Sequence, residues 1–120
     1  MATLSTALIF IIIFLHMYFL ILEMFLWESP FGRKTFSMST EFAKRTKSLA
    51  ANQGLYNGFL AIGLLWSILP GENSHSLKIF FLSCILIAGL FGGFTVNKKI
   101  FWIQALPAAI ALALLLVPVP

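Results

Sequence analysis

Long apolar runs alternate with short polar breaks along this chain. From Ala7 to Leu15 no polar side chain occurs, and His16 and Glu23 interrupt the longer run from Leu4 to Trp27. A second run, Leu49 to Leu69, is polar at its start (Asn52, Gln53, Tyr56, Asn57) and ends at Pro70-Gly71. A third covers Leu77 to Val96, and a fourth, Ile100 to Val117, carries Gln104 and Pro107 in its first turns. At about 1.5 Å per residue, a helix of ~20 residues crosses the ~30 Å hydrocarbon core of a bilayer. The pattern predicts an all-α protein: a four-transmembrane-helix bundle with helices roughly over 4–27, 49–69, 77–96 and 100–117. Residues 1–120 are read as a single integral membrane domain.

The breaks supply the connections. Glu28-Ser29-Pro30-Phe31-Gly32 reads as a helix stop and turn, opening a basic loop over 28–48. Within that loop Ser39 or Thr40 is placed to cap a short helix from near Glu41. Glu72 to Ser76 is a short loop in which His75 reads as solvated. Asn97-Lys98-Lys99 makes the next connection, and Pro118-Val119-Pro120 closes the last run, with no soluble tail expected. No Lys or Arg precedes Arg33, so the first run lacks the basic start of a cleaved leader and is expected to be a retained span.

Composition agrees. Hydrophobic residues make up 60% of the chain and charged ones 10%, against about 25% charged in soluble domains. The net charge of +4 sits in loops, the pattern of topology signals and anionic lipid headgroups at the basic loop, with no nucleic acid implied. Arg33, Lys34, Lys44, Arg45, Lys47, Lys98 and Lys99 fall in the first and third loops, and Lys78 alone edges the second. The positive-inside rule then puts those loops in the cytoplasm and both termini outside, in the cell inner (cytoplasmic) membrane. Cys84, the single cysteine, forms no intramolecular disulfide and reads as a small apolar residue.

The remaining polar residues carry the candidate chemistry. His16 and Glu23 are seven apart and share one helix face, two turns from each other. Asn52, Gln53, Tyr56 and Asn57 fall within an arc of about 140°, with the small-xxx-small pair Gly54/Gly58 roughly opposite. Gly89/Gly93 is a second such pair, and the Ala-rich stretch after Gln104 permits close helix contact. Under the topology above, Glu23, the second-helix cluster, Thr95 and Gln104 all lie in the cytoplasmic half of the membrane. The expectation is a shared polar cavity open to the cytoplasm. Its substrate-binding residues would be Glu23, His16, Asn52, Gln53, Tyr56, Asn57 and Gln104. No cofactor is implied. No metal site is expected either, since His16, Glu23 and Cys84 match no standard ligand spacing.

The blocks Leu22-Glu23-Met24-Phe25-Leu26-Trp27, Ala50-Ala51-Asn52-Gln53-Gly54-Leu55-Tyr56-Asn57-Gly58 and Gln104-Ala105-Leu106-Pro107 together resemble a family of small bacterial four-helix integral membrane proteins, a domain of unknown function. The resemblance covers nearly the whole chain. It implies the four-span fold and an intact polar cluster, and brings no activity with it.

Three functions fit the residues. The first is binding or transport of a small molecule or ion, with Glu23 carrying a proton or holding a cationic substrate. One chain of this size is too small to enclose a pathway, so this reading brings in a homodimer. The second is an intramembrane enzyme of isomerase or hydrolase type acting on a lipid-like substrate, with His16 and Glu23 as acid and base. Their separation of about 10 Å along the axis then leaves the substrate between them. In the third, the cluster only holds the helices together through hydrogen bonds.

Overall fold

A computed structural model describes residues 2–117. The protein is all-α, and no strand occurs among the described residues. In chain order the elements are α1 (Ala2–Met24), α2 (Pro30–Thr35), α3 (Thr40–Ile68), α4 (Ser74–Thr95), a π-helical turn (Phe101–Ala105) and α5 (Leu106–Leu116). Two helices, Thr3–Met24 and Ser74–Thr95, are long and apolar enough to cross a membrane. Four were expected. α3 does not qualify, since even its most apolar stretch of spanning length carries Asn52, Gln53 and Asn57, and Phe101–Leu116 is a shorter apolar helix. The Pro118-Val119-Pro120 stop lies outside the described residues.

The helix boundaries differ from the hydropathy runs for local reasons. α1 ends at Met24 instead of Trp27, so Glu23 stands in its last turn and not a turn inside it. Phe25 and Leu26 both donate to the Ile21 carbonyl, which closes the helix. Ser29-Pro30 does not end as a turn. Ser29 caps α2 by accepting from the Gly32 amide at 3.0 Å, with Pro30 at the first helical positions. Proline tolerates that place because its missing N–H would have no intrahelical partner there. The helix expected near Glu41 and the second span are one continuous helix of 29 residues. Ser39 caps it, accepting from the Phe42 amide at 3.1 Å. No Pro or Gly lies between Thr40 and Gln53, so nothing in the sequence breaks the helix between its polar start and its apolar end.

The chain divides into two compact units: Phe14–Ala61, and the remainder up to Ile13 and from Ile62 onward. In the second of these, α4 buries Leu82, Ile85, Gly89 and Gly93, a stripe of three- and four-residue steps. The last helical segment answers with Ala105, Ala108, Ala111 and Leu112. The contact is close: a Cβ added at Gly89 would lie 2.6 Å from the Ala105 nitrogen, and one at Gly93 would strike the Phe101 ring. Both the glycine pair and the alanine run therefore pack as their spacing suggests. At the turn between α3 and α4, the Ser74 hydroxyl donates to the Ser67 carbonyl at 2.6 Å.

Pro107 explains the π-helical turn. It offers no N–H to the Ile103 carbonyl, and its ring would collide with that oxygen in a regular α-helix. The backbone widens just upstream, and the Leu106 amide reaches back five residues to Phe101. Gln104 sits on this widened turn and is half-buried.

Candidate functional site

The Phe14–Ala61 unit joins two matching rows of side chains. Leu20, Glu23 and Met24 occupy positions i, i+3 and i+4 on α1, and Gly54, Asn57 and Gly58 do the same on α3, so each set forms one face. A Cβ at Gly54 would meet Met24 Cγ at 2.7 Å, Glu23 Cβ at 3.1 Å and the Leu20 carbonyl oxygen at 3.2 Å. At Gly58 it would meet Leu20 Cδ1 at 2.7 Å. The two glycines thus set the approach of the helices. That approach lets a short amide reach a carboxylate: Asn57 Nδ2 donates to Glu23 Oε1 at 2.6 Å. Asn57 is buried and Glu23 half-buried.

The polarity of this pair follows from its donors. The amide uses its N–H on the carboxylate, which leaves the Asn57 carbonyl oxygen and Glu23 Oε2 as acceptors without a hydrogen bond among the described residues. Two adjacent acceptors suit a cation or a solute rich in N–H or O–H donors.

The other residues expected at this site are placed differently. Asn57 lies only about 60° around the helix from Gly54 and turns with it toward α1. Asn52 and Gln53 are exposed, and Tyr56 is 52% exposed with its ring beside Phe59. The second-helix cluster is therefore divided between the α1 contact and an outward face. His16 is 1% exposed, on the α1 face one turn before Leu20, with its ring edge-on to Phe19. Gln104 belongs to the other unit. Among the described residues no group of three or more His, Cys, Asp or Glu could hold a metal ion.

Sequence reading missed a polar lattice around α2. Trp27 donates its indole N–H to Thr46 Oγ1 at 3.0 Å and packs on Phe36 with ring centroids 4.9 Å apart. Arg33 donates through Nε to the Glu28 carbonyl at 3.3 Å and through Nη1 to Thr40 Oγ1 at 2.9 Å. Lys47 pairs with the Glu28 carboxylate at 3.2 Å. Gly32 is required where α2 turns over the end of α1, since a Cβ there would overlap the Leu26 carbonyl. The available signal was the Ser29-Pro30 dipeptide, a helix start as much as a stop.

Comparison with known proteins bears on most of the chain. It is 33% identical to "Uncharacterized protein YpaA" of Lactococcus lactis subsp. lactis (strain IL1403) over 97 residues, which are 79% of this chain and 82% of that protein. No solved structure matches it. The family model described as "Protein of unknown function (DUF1304)" matches residues 10–116. That match takes in both glycine-bearing helix contacts and the Glu23–Asn57 pair, and the chain belongs to this family.

Proposed function

We propose that the chain is a multi-pass protein of the cytoplasmic membrane that binds, and as a dimer passes, a small cationic or donor-rich solute at Glu23 and Asn57. The observation that carries this reading is the bond from Asn57 Nδ2 to Glu23 Oε1. It holds a carboxylate at the end of an apolar helix and leaves acceptors beside it. A carboxylate in such a helix is costly in lipid and is retained where it binds or relays something. Packing alone needs no ionisable group at this position.

The surface of the long apolar helices supports the membrane placement. Phe14 on α1 is 71% exposed, and Phe91 and Phe94 on α4 are 70% and 81% exposed. Such side chains find their favourable surroundings in acyl chains. In this reading α3 and the Phe101–Leu116 segment complete four spans, the second with its polar start in the headgroups. The basic 28–48 connector lies on the cytoplasmic side. Asn52, Gln53 and Tyr56, exposed on α3, are where a second copy supplies partners to two amides and a phenol that lipid cannot satisfy.

Native mass spectrometry of wild type and Glu23→Gln, each released gently from its own membrane, tests the proposal. A dimer carrying a small cation or solute in wild type and lacking it in the variant is the expected result. Identical ligand-free spectra overturn the proposal and leave the pair as a link between helices. A monomer that retains a lipid-like molecule altered in the variant overturns it in favour of an enzyme.

A further inference from the structure

We propose that the open concavity beside α2, lined by Pro30, Arg33, Lys34, Ser37 and Met38, binds the phosphate of an anionic phospholipid headgroup. The inference rests on the membrane reading above and concerns a different site from Glu23. Arg33 carries the argument. Its two hydrogen bonds go to neutral acceptors, the Glu28 carbonyl and the Thr40 hydroxyl, so its charge is not neutralised. They hold the guanidinium in place and use two of its five N–H groups, leaving a planar fork of donors of the kind that grips phosphate. The carboxylate nearest in sequence, Glu28, is engaged by Lys47.

The neighbours fit the same ligand. Lys34 adds a second cation one residue on, and its ammonium makes no hydrogen bond or ion pair among the described residues. Ser37 turns the chain out of α2 with φ 53°, a left-handed conformation, and its amide returns to the Lys34 carbonyl. Ser37 is one of the lining residues, and its hydroxyl makes no hydrogen bond among the described residues. Over 28–48 there are five basic residues, Arg33, Lys34, Lys44, Arg45 and Lys47, against Glu28 and Glu41. The segment therefore draws anions as a whole, and the concavity gives one of them a fixed seat.

The aromatic side chains around α2 favour a lipid over free phosphate. Phe25 is 72% and Phe31 54% exposed, just before and within α2. A basic, aromatic short helix beside a hydrophobic span lies naturally at the headgroup level, apolar rings toward the acyl chains.

The test uses the purified full chain in neutral detergent, offered phosphatidylglycerol, phosphatidylcholine or inorganic phosphate, with bound lipid counted by native mass spectrometry. Wild type is expected to retain phosphatidylglycerol at least about ten-fold better than phosphatidylcholine, with inorganic phosphate failing to displace it. Lys34→Gln, which removes no internal hydrogen bond, and Arg33→Gln should each lose most of that preference. Lys98→Gln/Lys99→Gln should keep it. A preference unchanged in Lys34→Gln and Arg33→Gln, or lost equally in Lys98→Gln/Lys99→Gln, overturns the proposal. Displacement by inorganic phosphate overturns the lipid assignment. The membrane reading is checked separately by alkaline carbonate extraction: its failure appears as release of the protein from membranes, whatever the lipid counts show.

Discussion

Gly54 and Gly58 look equivalent in sequence, yet the structure makes them unequal. An alanine methyl at Gly58 meets only Leu20 Cδ1, at 2.7 Å. That atom is the end of a flexible side chain and rotates away at little cost. At Gly54 the methyl meets Met24 Cγ at 2.7 Å, which also yields, but then Glu23 Cβ at 3.1 Å and the Leu20 carbonyl oxygen at 3.2 Å. Those two atoms move only with the α1 backbone. Overpacking of this kind costs about 1–3 kcal/mol. Replacing Gly by Ala within a helix returns about 0.5–1 kcal/mol at either position. Gly54→Ala should therefore lose about 1–2 kcal/mol, while Gly58→Ala should stay within about 0.5 kcal/mol of wild type or gain slightly. The assay is reversible unfolding in mixed micelles, followed by circular dichroism as denaturing detergent is titrated in. A further consequence separates this mechanism from a general loss of packing. Pushing α1 outward lengthens the Asn57–Glu23 bond, so Asn57→Ala should cost less in the Gly54→Ala background than in wild type. Equal losses at the two glycines, or full additivity between Gly54→Ala and Asn57→Ala, would rule out a steric clash at Gly54 as the cause.

A double-mutant cycle of Glu23→Ala and Asn57→Ala should return a favourable coupling of about 0.5–2 kcal/mol, since the bond crosses between two helices and bonds of this kind in membranes fall near the lower figure. A coupling of zero would remove the bond as a stabilising contact. Gly89→Ala drives a methyl to 2.6 Å from the Ala105 backbone nitrogen, which cannot rotate aside. It should cost about 2 kcal/mol or more, beyond the loss at Gly54, and unfolding titrations that rank it below Gly54→Ala would contradict the packing described. Ser29→Ala removes the α2 cap and should cost about 1 kcal/mol locally. Hydrogen exchange should show this as faster exchange across residues 30–35 with α4 unaffected, and unchanged protection there would mean the cap contributes nothing.

The candidate site was half legible in the sequence. Glu23 stands out because a carboxylate in an apolar run needs an explanation, and Asn57 was among its candidate partners. What the helical wheel could not settle was which side of the Asn52–Gly58 cluster faces α1. Amides and glycines both read as interfacial, the first for hydrogen bonds and the second for close approach. The structure sends Gly54 and Gly58 to the contact, and Asn57 follows because it lies beside them. Asn52, Gln53 and Tyr56 remain on the outward face. The lattice at α2 was illegible for a different reason: Trp27 and Thr46 are 19 residues apart, and no periodicity links them.

The helical class and the positions of the apolar runs follow from the amino-acid sequence alone, as do a cap at Ser39 or Thr40 and the presence of two small-residue stretches suited to close helix packing. These depend on local chemistry, namely hydrophobic length, capping side chains and residue size at helical spacing. Packing between helices was needed to choose Ser67 as the partner of Ser74, to seat Gly89 against Ala105, and to make Asn57 alone of its cluster bind Glu23. Each of those outcomes compares competing arrangements of the same residues. The winner is set by what lies across the contact: a carbonyl within reach of a hydroxyl, a glycine that admits a neighbouring helix, or a carboxylate within reach of one amide and not the next.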